Sequence, residues 1–412
     1  MSLSSSLWAY PWDIADRGID VVVDEMVDRI GIDDLAVAAM YHSGKFLLPH
    51  NPLRRVYFPK PGTRYFEVSG ETKLPQPRLT APTWEGAAGN IFWASLGEML
   101  RERGATLTAW CLGLHNSGAG ERYPECAVEN AFGDSILTDL CANNPDVVAY
   151  LEFSVAEAAA ATGADRVILE SFEFMPFEHG YHHEVIGVPV DPGVSILLSL
   201  CFCSYCAEAA REHGVDVEGL RSWVRSQVDS WLADPFVKKA PFDWSDFHEG
   251  FGGHLGQFMT MRSDSVTKLI RRVSDAVRRR SNARIGLTDF GPLYASGPDG
   301  TRWQSGLDLS AVSELVDELH PTFYASDKQA FSSSIEEYLA VAPSALPIHA
   351  ALRAILPQTT DRSSLLDQVR ALNGRFDGVS FYNYGFMAPV VFPWIRDSLI
   401  SSHSRADRLE KE

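Results

Sequence analysis

The chain has 412 residues, 45% of them apolar and 22% charged, the balance of a globular protein able to bury a large core. A formal charge of −18 turns away polyanionic partners such as nucleic acid and anionic membrane surfaces, and suits a neutral or cationic ligand. No run approaches the ~18 apolar residues of a membrane span, and "MSLSSSLWAYPWD" lacks a basic, then apolar leader, so we expect a cytoplasmic protein with reduced thiols and no membrane partner.

Short apolar runs alternate with segments of helical period along the chain. The first is "SLWAYPW" (6–12), followed by the amphipathic "RGIDVVVDEMVDRIG"; the second is "DLAVAAMYH" (34–42). A Pro-rich excursion and the helix "GNIFWASLGEMLRERG" precede the third, "TLTAWCLGLH" (106–115). The Ala-rich helix "PDVVAYLEFSVAEAAAATG" leads to the fourth, "DRVILESFEF" (165–174). After a long interruption come "ARIGLTDFG" (283–291), "ELHPTFYA" (318–325), "LPIHAALRA" (346–354) and "DGVSFYNYG" (377–385), each preceded by a helical segment.

Eight strand-like runs separated by helices are the count of an α/β protein of (β/α)8, or TIM-barrel, fold. The rival is a doubly wound open sheet, but no Gly-rich phosphate loop follows the first run. The expectation is one barrel domain over residues 1–400, with insertions after strands 2 and 4 at about 43–85 and 175–253. The charged tail 401–412 is expected to be frayed.

Within the second insertion, "SLCFCSYCAEAAR" places Cys201, Cys203 and Cys206 in six residues. That spacing suits a tetrahedral zinc site, which needs a fourth ligand. The candidates are Cys111, Cys126, Cys141 and the histidines of "HGYHHE" (179–184). Buried metal-free cysteines and a redox pair are the alternatives.

A Cys in the "C-x-N-x-P-x-x-x-Y" stretch, then the fourth run, then C-x-C-x-x-C entering a helix, resembles the zinc-cluster layout of family-42 glycoside hydrolases. It is also similar to the hypothetical glycosyl hydrolases of (β/α)8 fold, in which a strand-4 acid precedes such a cluster. The likeness spans roughly residues 100–225. It implies that Cys141, Cys201, Cys203 and Cys206 hold one structural zinc, and that Glu170 is an active-site carboxylate. The chain departs from the family-42 pattern in carrying Leu169 where an Asn precedes the strand-4 acid, and in having no Glu in "LPIHAALRAI". The hypothetical-hydrolase pattern, with the strand-4 acid as nucleophile, is the nearer one.

Barrel active sites lie at the C-terminal ends of the strands. Those ends carry Trp12 and Asp13 (run one), Tyr41 and His42 (two), His115 and Asn116 (three), Tyr324 (six), Arg353 (seven), and Asn383 and Tyr384 (eight). With His182 and His183 of the histidine loop, they form a set able to stack on sugar rings and hydrogen-bond hydroxyls. Glycosidic hydrolysis needs two carboxyl groups. Glu170 and Asp289, on adjacent strands, are the first choice, at a separation that would suit a retaining mechanism. Glu173 and Asp327 are the alternatives, although Glu173 has the wrong parity to face the barrel unless the strand bends.

The reading is a glycoside hydrolase acting on a small carbohydrate, with homo-oligomerisation left open. Two alternatives stand beside it: a metal-dependent sugar isomerase or lyase built on the histidine loop, and a non-catalytic sugar-binding barrel.

Overall fold

Every one of the eight apolar runs becomes a strand: β1 Ser4–Ala9, β2 Asp34–Tyr41, β3 Thr106–Leu112, β4 Arg166–Glu170, β5 Arg284–Asp289, β6 Glu318–Pro321, β7 His349–Arg353 and β8 Gly378–Tyr382. The computed structural model describes residues 3–70, 72, 74–179, 185–236, 247–291 and 304–409. Pairing is parallel in the order β6-β5-β4-β3-β2-β1-β8-β7, and bridges Leu319–Ile348 and Thr322–Ala351 join β6 to β7. The result is a (β/α)8 barrel. Its strands are apolar along their length because both faces are covered, by barrel interior on one side and helices on the other.

The N-terminal end of the barrel is closed by a buried polar layer. Glu318, fully buried at the start of β6, pairs with Arg166, Arg284 (3.0 Å) and His320 (2.8 Å). Asp34 accepts hydrogen bonds from Ser6, Thr106 and Thr108 at 2.7–2.8 Å and pairs with Arg166 at 3.1 Å. A charge this deep is tolerated only when paired.

Between β4 and β5 the chain builds a second apolar cluster, from Val194, Ile196, Leu220, Val224, Trp231, Phe258 and their neighbours. No single helix among the described residues is long and apolar enough to cross a membrane. A bent pair, Pro192–Ser199 and Ser204–Glu212, passes on length and composition, yet its apolar residues are buried in this second cluster.

Candidate active site

The site begins with a bend. Directly after β4, Ser171 takes a φ of +56°, a left-handed conformation that side-chain-bearing residues rarely adopt. β3 continues past its own end to hold the bend: Gly113 N–H donates to the Glu170 carbonyl (2.8 Å) and Leu114 N–H to the Ser171 carbonyl (2.7 Å). Residue 113 must be glycine, since a Cβ there would lie 2.7 Å from the Phe172 ring. The bend turns Glu173 inward, so the parity objection to Glu173 falls.

Glu170 ends β4, partly buried. Its charge acts on Tyr41, Tyr324 and Tyr382, which places it within a ring of tyrosines from β2, β8 and the segment after β6. Tyr10, just past β1, completes the ring: its hydroxyl lies 3.0 Å from that of Tyr382, and its ring meets Trp110 of β3 at 5.4 Å. Burial pushes the Glu170 carboxyl up to about 8, against a smaller lowering from the Trp110 indole. The indole Nε1 is buried and faces this carboxyl.

Glu173 is 1% exposed, and burial first, then the charge of Asp289, pushes its carboxyl up to about 8 as well. Its Oε2 is buried without a hydrogen-bond partner among the described residues. Asp289 ends β5, fully buried, with Oδ1 accepting the Gly291 N–H at 2.7 Å. The mouth thus carries a carboxyl facing the tyrosine ring and, behind it, a buried carboxyl pair. Asp327, the other alternative, is exposed and caps the helix Lys328–Val341 through Ala330 N–H.

The remaining expected binders divide. Tyr41 and Tyr324 border Glu170, and Arg353 at the end of β7 lies over Tyr324 (5.2 Å) and Tyr382 (5.8 Å). His42, His115 and His179 lie in a row, the first pair tilted and the second edge to face, with ring centroids 4.0 and 4.9 Å apart, and Asp139 sits 3.4 Å from His115 Nδ1. Trp12 and Asp13 lie on a short helix, Pro11–Ala15, beyond the end of β1. Trp12 stacks beneath Tyr10 at 4.4 Å, and Asp13 accepts the Tyr10 N–H at 3.1 Å. Burial pushes Asp13 up to about 8.

Asn116 caps the helix Ser117–Arg122, and Asn383 accepts the Gly385 N–H. Tyr384 is turned to the outer layer, where its hydroxyl donates to Glu25 at 2.6 Å. His182 and His183 lie outside the described residues. Tyr382 and Trp110 were missed from sequence. Placing the end of β8 at Tyr382 rather than past Asn383 would have found the first, and an indole four residues into the third run was the signal for the second.

Cys141, Cys201, Cys203 and Cys206 come together, all buried, with sulfurs within 4.8 Å of one another. Cys141 Sγ lies 3.5 Å from Cys203 and 3.4 Å from Cys206, close to the ~3.8 Å edge expected of a tetrahedron with ~2.3 Å metal–sulfur bonds. Asn143 Nδ2 donates to Cys206 Sγ (3.3 Å) and Glu129 N–H to Cys201 Sγ (3.5 Å), the outer contacts that thiolate ligands receive. The guanidinium of Arg262, fully buried over the Phe174 ring, adds a positive charge that acts on Cys141, Cys201 and Cys206. Hydrogen bonds from Cys141, Cys201 and Cys206 hold the Cys203 thiol far below its usual range. The cluster can bind a metal ion, and its residues fit a thiolate-bound one. The sulfurs of Cys111 and Cys126 are not part of it, although the Cys126 carbonyl accepts the Cys141 N–H at 2.9 Å.

No protein-family model matches the chain, and no curated protein matches it in sequence. Solved structures do resemble it. The glycoside hydrolase domain of PgaB (BpsB) from Bordetella bronchiseptica aligns with TM-score 0.58 at 11% identity, over 96% of this chain and 99% of that one. A β-galactosidase from the psychrophilic Marinomonas ef1 aligns with TM-score 0.57 at 11% identity, over 99% of this chain but 60% of that one. The β-amylase catalytic domain of Paenibacillus polymyxa aligns with TM-score 0.55 at 11% identity, over 97% and 98%. At such identities the likeness is one of fold, and the fold is the (β/α)8 barrel.

Proposed function

We propose that the protein is a glycoside hydrolase that cleaves a small glycoside or oligosaccharide with retention of configuration. One observation carries the reading: a carboxyl at the end of β4, set in a ring of tyrosines and an indole, stands before a second, buried carboxyl pair. Aromatic faces and hydroxyls around a carboxyl pair are what a sugar and its oxocarbenium-like transition state require. Fold likeness to a glycoside hydrolase domain, a β-galactosidase and a β-amylase lends further support.

In this reading Glu170 is the nucleophile. Its carboxylate bonds to the anomeric carbon as the glycosidic C–O bond breaks, and the leaving oxygen takes a proton from the Glu173–Asp289 pair. Glu173 carries that proton, because burial and the Asp289 charge keep its carboxyl protonated near neutral pH. Asp289, first choice as acid/base on strand order alone, becomes the group that holds the proton on Glu173. Water, deprotonated by the same pair, then displaces Glu170 and restores it. Tyr41, Tyr324 and Arg353 contact the substrate, with His42 and His115 at the far rim.

The four cysteines hold a structural zinc, as the resemblance to the zinc clusters of family-42 enzymes implies. With four thiolates filling a tetrahedral site, no position is left for substrate. The ion pins the segment after β4 beside the mouth, and a reducing compartment such as the cytoplasm would keep the thiols available as ligands. A panel of p-nitrophenyl glycosides of both anomeric configurations tests the activity. Release of nitrophenol with an equal amount of free sugar is expected; sugar binding without turnover on any member would favour a non-catalytic barrel instead.

A further inference from the structure

Beside the Glu170 ring a cleft of about 650 Å³ opens between the loops after β2, β7 and β8, within the range of small-molecule sites. It shares Tyr382 and Arg353 with the mouth and is walled by apolar residues, among them Phe386 and Trp394. Its charge is the reverse of the chain's. In a protein of net charge −18, the two charged residues lining the cleft are Lys45 and Arg353, and no Asp or Glu lines it. Neither cation forms an ion pair among the described residues. Arg353 Nε is buried with no hydrogen-bond partner among the described residues, although a buried guanidinium group ordinarily has one. The guanidinium lies against the Tyr324 and Tyr382 rings, and Arg353 and Tyr382 belong to both the cleft and the mouth.

We infer that the cleft receives an acidic sugar, with the carboxylate of a uronic acid bound by Arg353 and drawn in by Lys45, and the sugar face against Trp394 and Phe386. A planar guanidinium matches a carboxylate with two parallel hydrogen bonds. The charge of the whole chain would repel such a ligand, so a local cationic pair in an acid-free cleft is the feature that admits it. The inference rests on the glycosidase reading and names its substrate class.

The test compares p-nitrophenyl glucosides and galactosides with the matching glucuronides and galacturonides, for wild type and for Arg353→Gln and Lys45→Gln. Free glucuronate and glucose are titrated calorimetrically in parallel. We expect kcat/KM to favour a uronide over its neutral partner. Arg353→Gln should shrink that ratio by about 10–100-fold, the size of a charged hydrogen bond. Lys45→Gln should shrink it less, with a salt-dependent KM. A neutral sugar preferred by wild type, or a ratio that Arg353→Gln leaves alone, overturns the inference and leaves the glycosidase reading in place. With p-nitrophenyl 6-phosphoglucoside added to the panel, preference for it over the glucuronide overturns the carboxylate assignment. Absence of turnover on every glycoside, with glucuronate still bound in an Arg353-dependent way, overturns the glycosidase reading and sustains the acidic-ligand site. Absence of both overturns both.

Discussion

The hydroxyls of Tyr10 and Tyr382 lie 3.0 Å apart and tie the ends of β1 and β8 together beside Glu170. The Tyr41 hydroxyl shares hydrogen bonds with both, so three hydroxyls form one network beside the carboxylate. Tyr382→Phe removes the link while keeping the ring. We expect kcat/KM to fall about tenfold, with a small loss of stability, as for one neutral hydrogen bond. Unchanged kinetics would place the pair outside the site.

The pH profile follows from the two raised carboxyls. Catalysis needs Glu170 ionised and Glu173 protonated, and both carboxyls stand at about 8. kcat/KM should peak near that value and fall about tenfold per pH unit on the acid side, with apparent values that belong to the coupled group. A plateau extending down to about pH 5 would contradict it. Stability carries the opposite sign. Between the ordinary value of 4.5 and about 8, the folded protein binds the Glu170 proton more tightly than the unfolded chain, so folding weakens as pH rises through that window. Glu170→Gln should therefore raise Tm above about pH 8 and add little near pH 5.

Cys141 joins the insertion after β4 to the segment between β3 and β4, so a metal held by the four cysteines would staple the two segments together. Cys141→Ser should abolish stoichiometric zinc, lower Tm and leave residues 185–233 sensitive to protease. Treatment of the wild type with a chelator should reproduce the loss. Zinc content unchanged in the variant would remove Cys141 from the ligand set.

At the closed end of the barrel, burial raises Glu318, but His320, Arg166 and His349 outweigh it and hold the carboxyl at about 2. Its contribution is present above the ordinary 4.5 and lost as pH falls toward about 2. Glu318→Gln leaves Arg166 with Asp34 as its remaining carboxylate partner, takes the carboxylate away from His320, and should cost about 1–3 kcal/mol near neutral pH, a difference that shrinks in acid. Denaturant titration at several pH values measures it.

All eight strands were legible in the sequence because each is buried on both faces, giving runs such as "RVIL" and "LAVAAM" that stand out against the helical periods. The fourth cysteine was not fixed by spacing and rested on resemblance; the fold brings it to the other three. Side-chain direction just past a strand end was less readable. The left-handed Ser171 reversed the parity of Glu173, and β8 ends at Tyr382, two residues before Tyr384, which lies on the turn beyond and faces outward. Such turns depend on a neighbouring strand, here the close approach of Gly113 to Phe172, which local sequence does not reveal. A local feature such as the cationic cleft at Arg353 is likewise invisible in the charge of the whole chain.

The measurement that bears most directly on the central claim is turnover of the best aryl glycoside by wild type and by Glu170→Gln, with Tm and zinc content recorded for both. The account predicts a loss of at least about 10²–10⁴-fold in kcat, with a folded variant and unchanged zinc. Turnover that survives the substitution in a folded variant would contradict it and take Glu170 out of the chemistry.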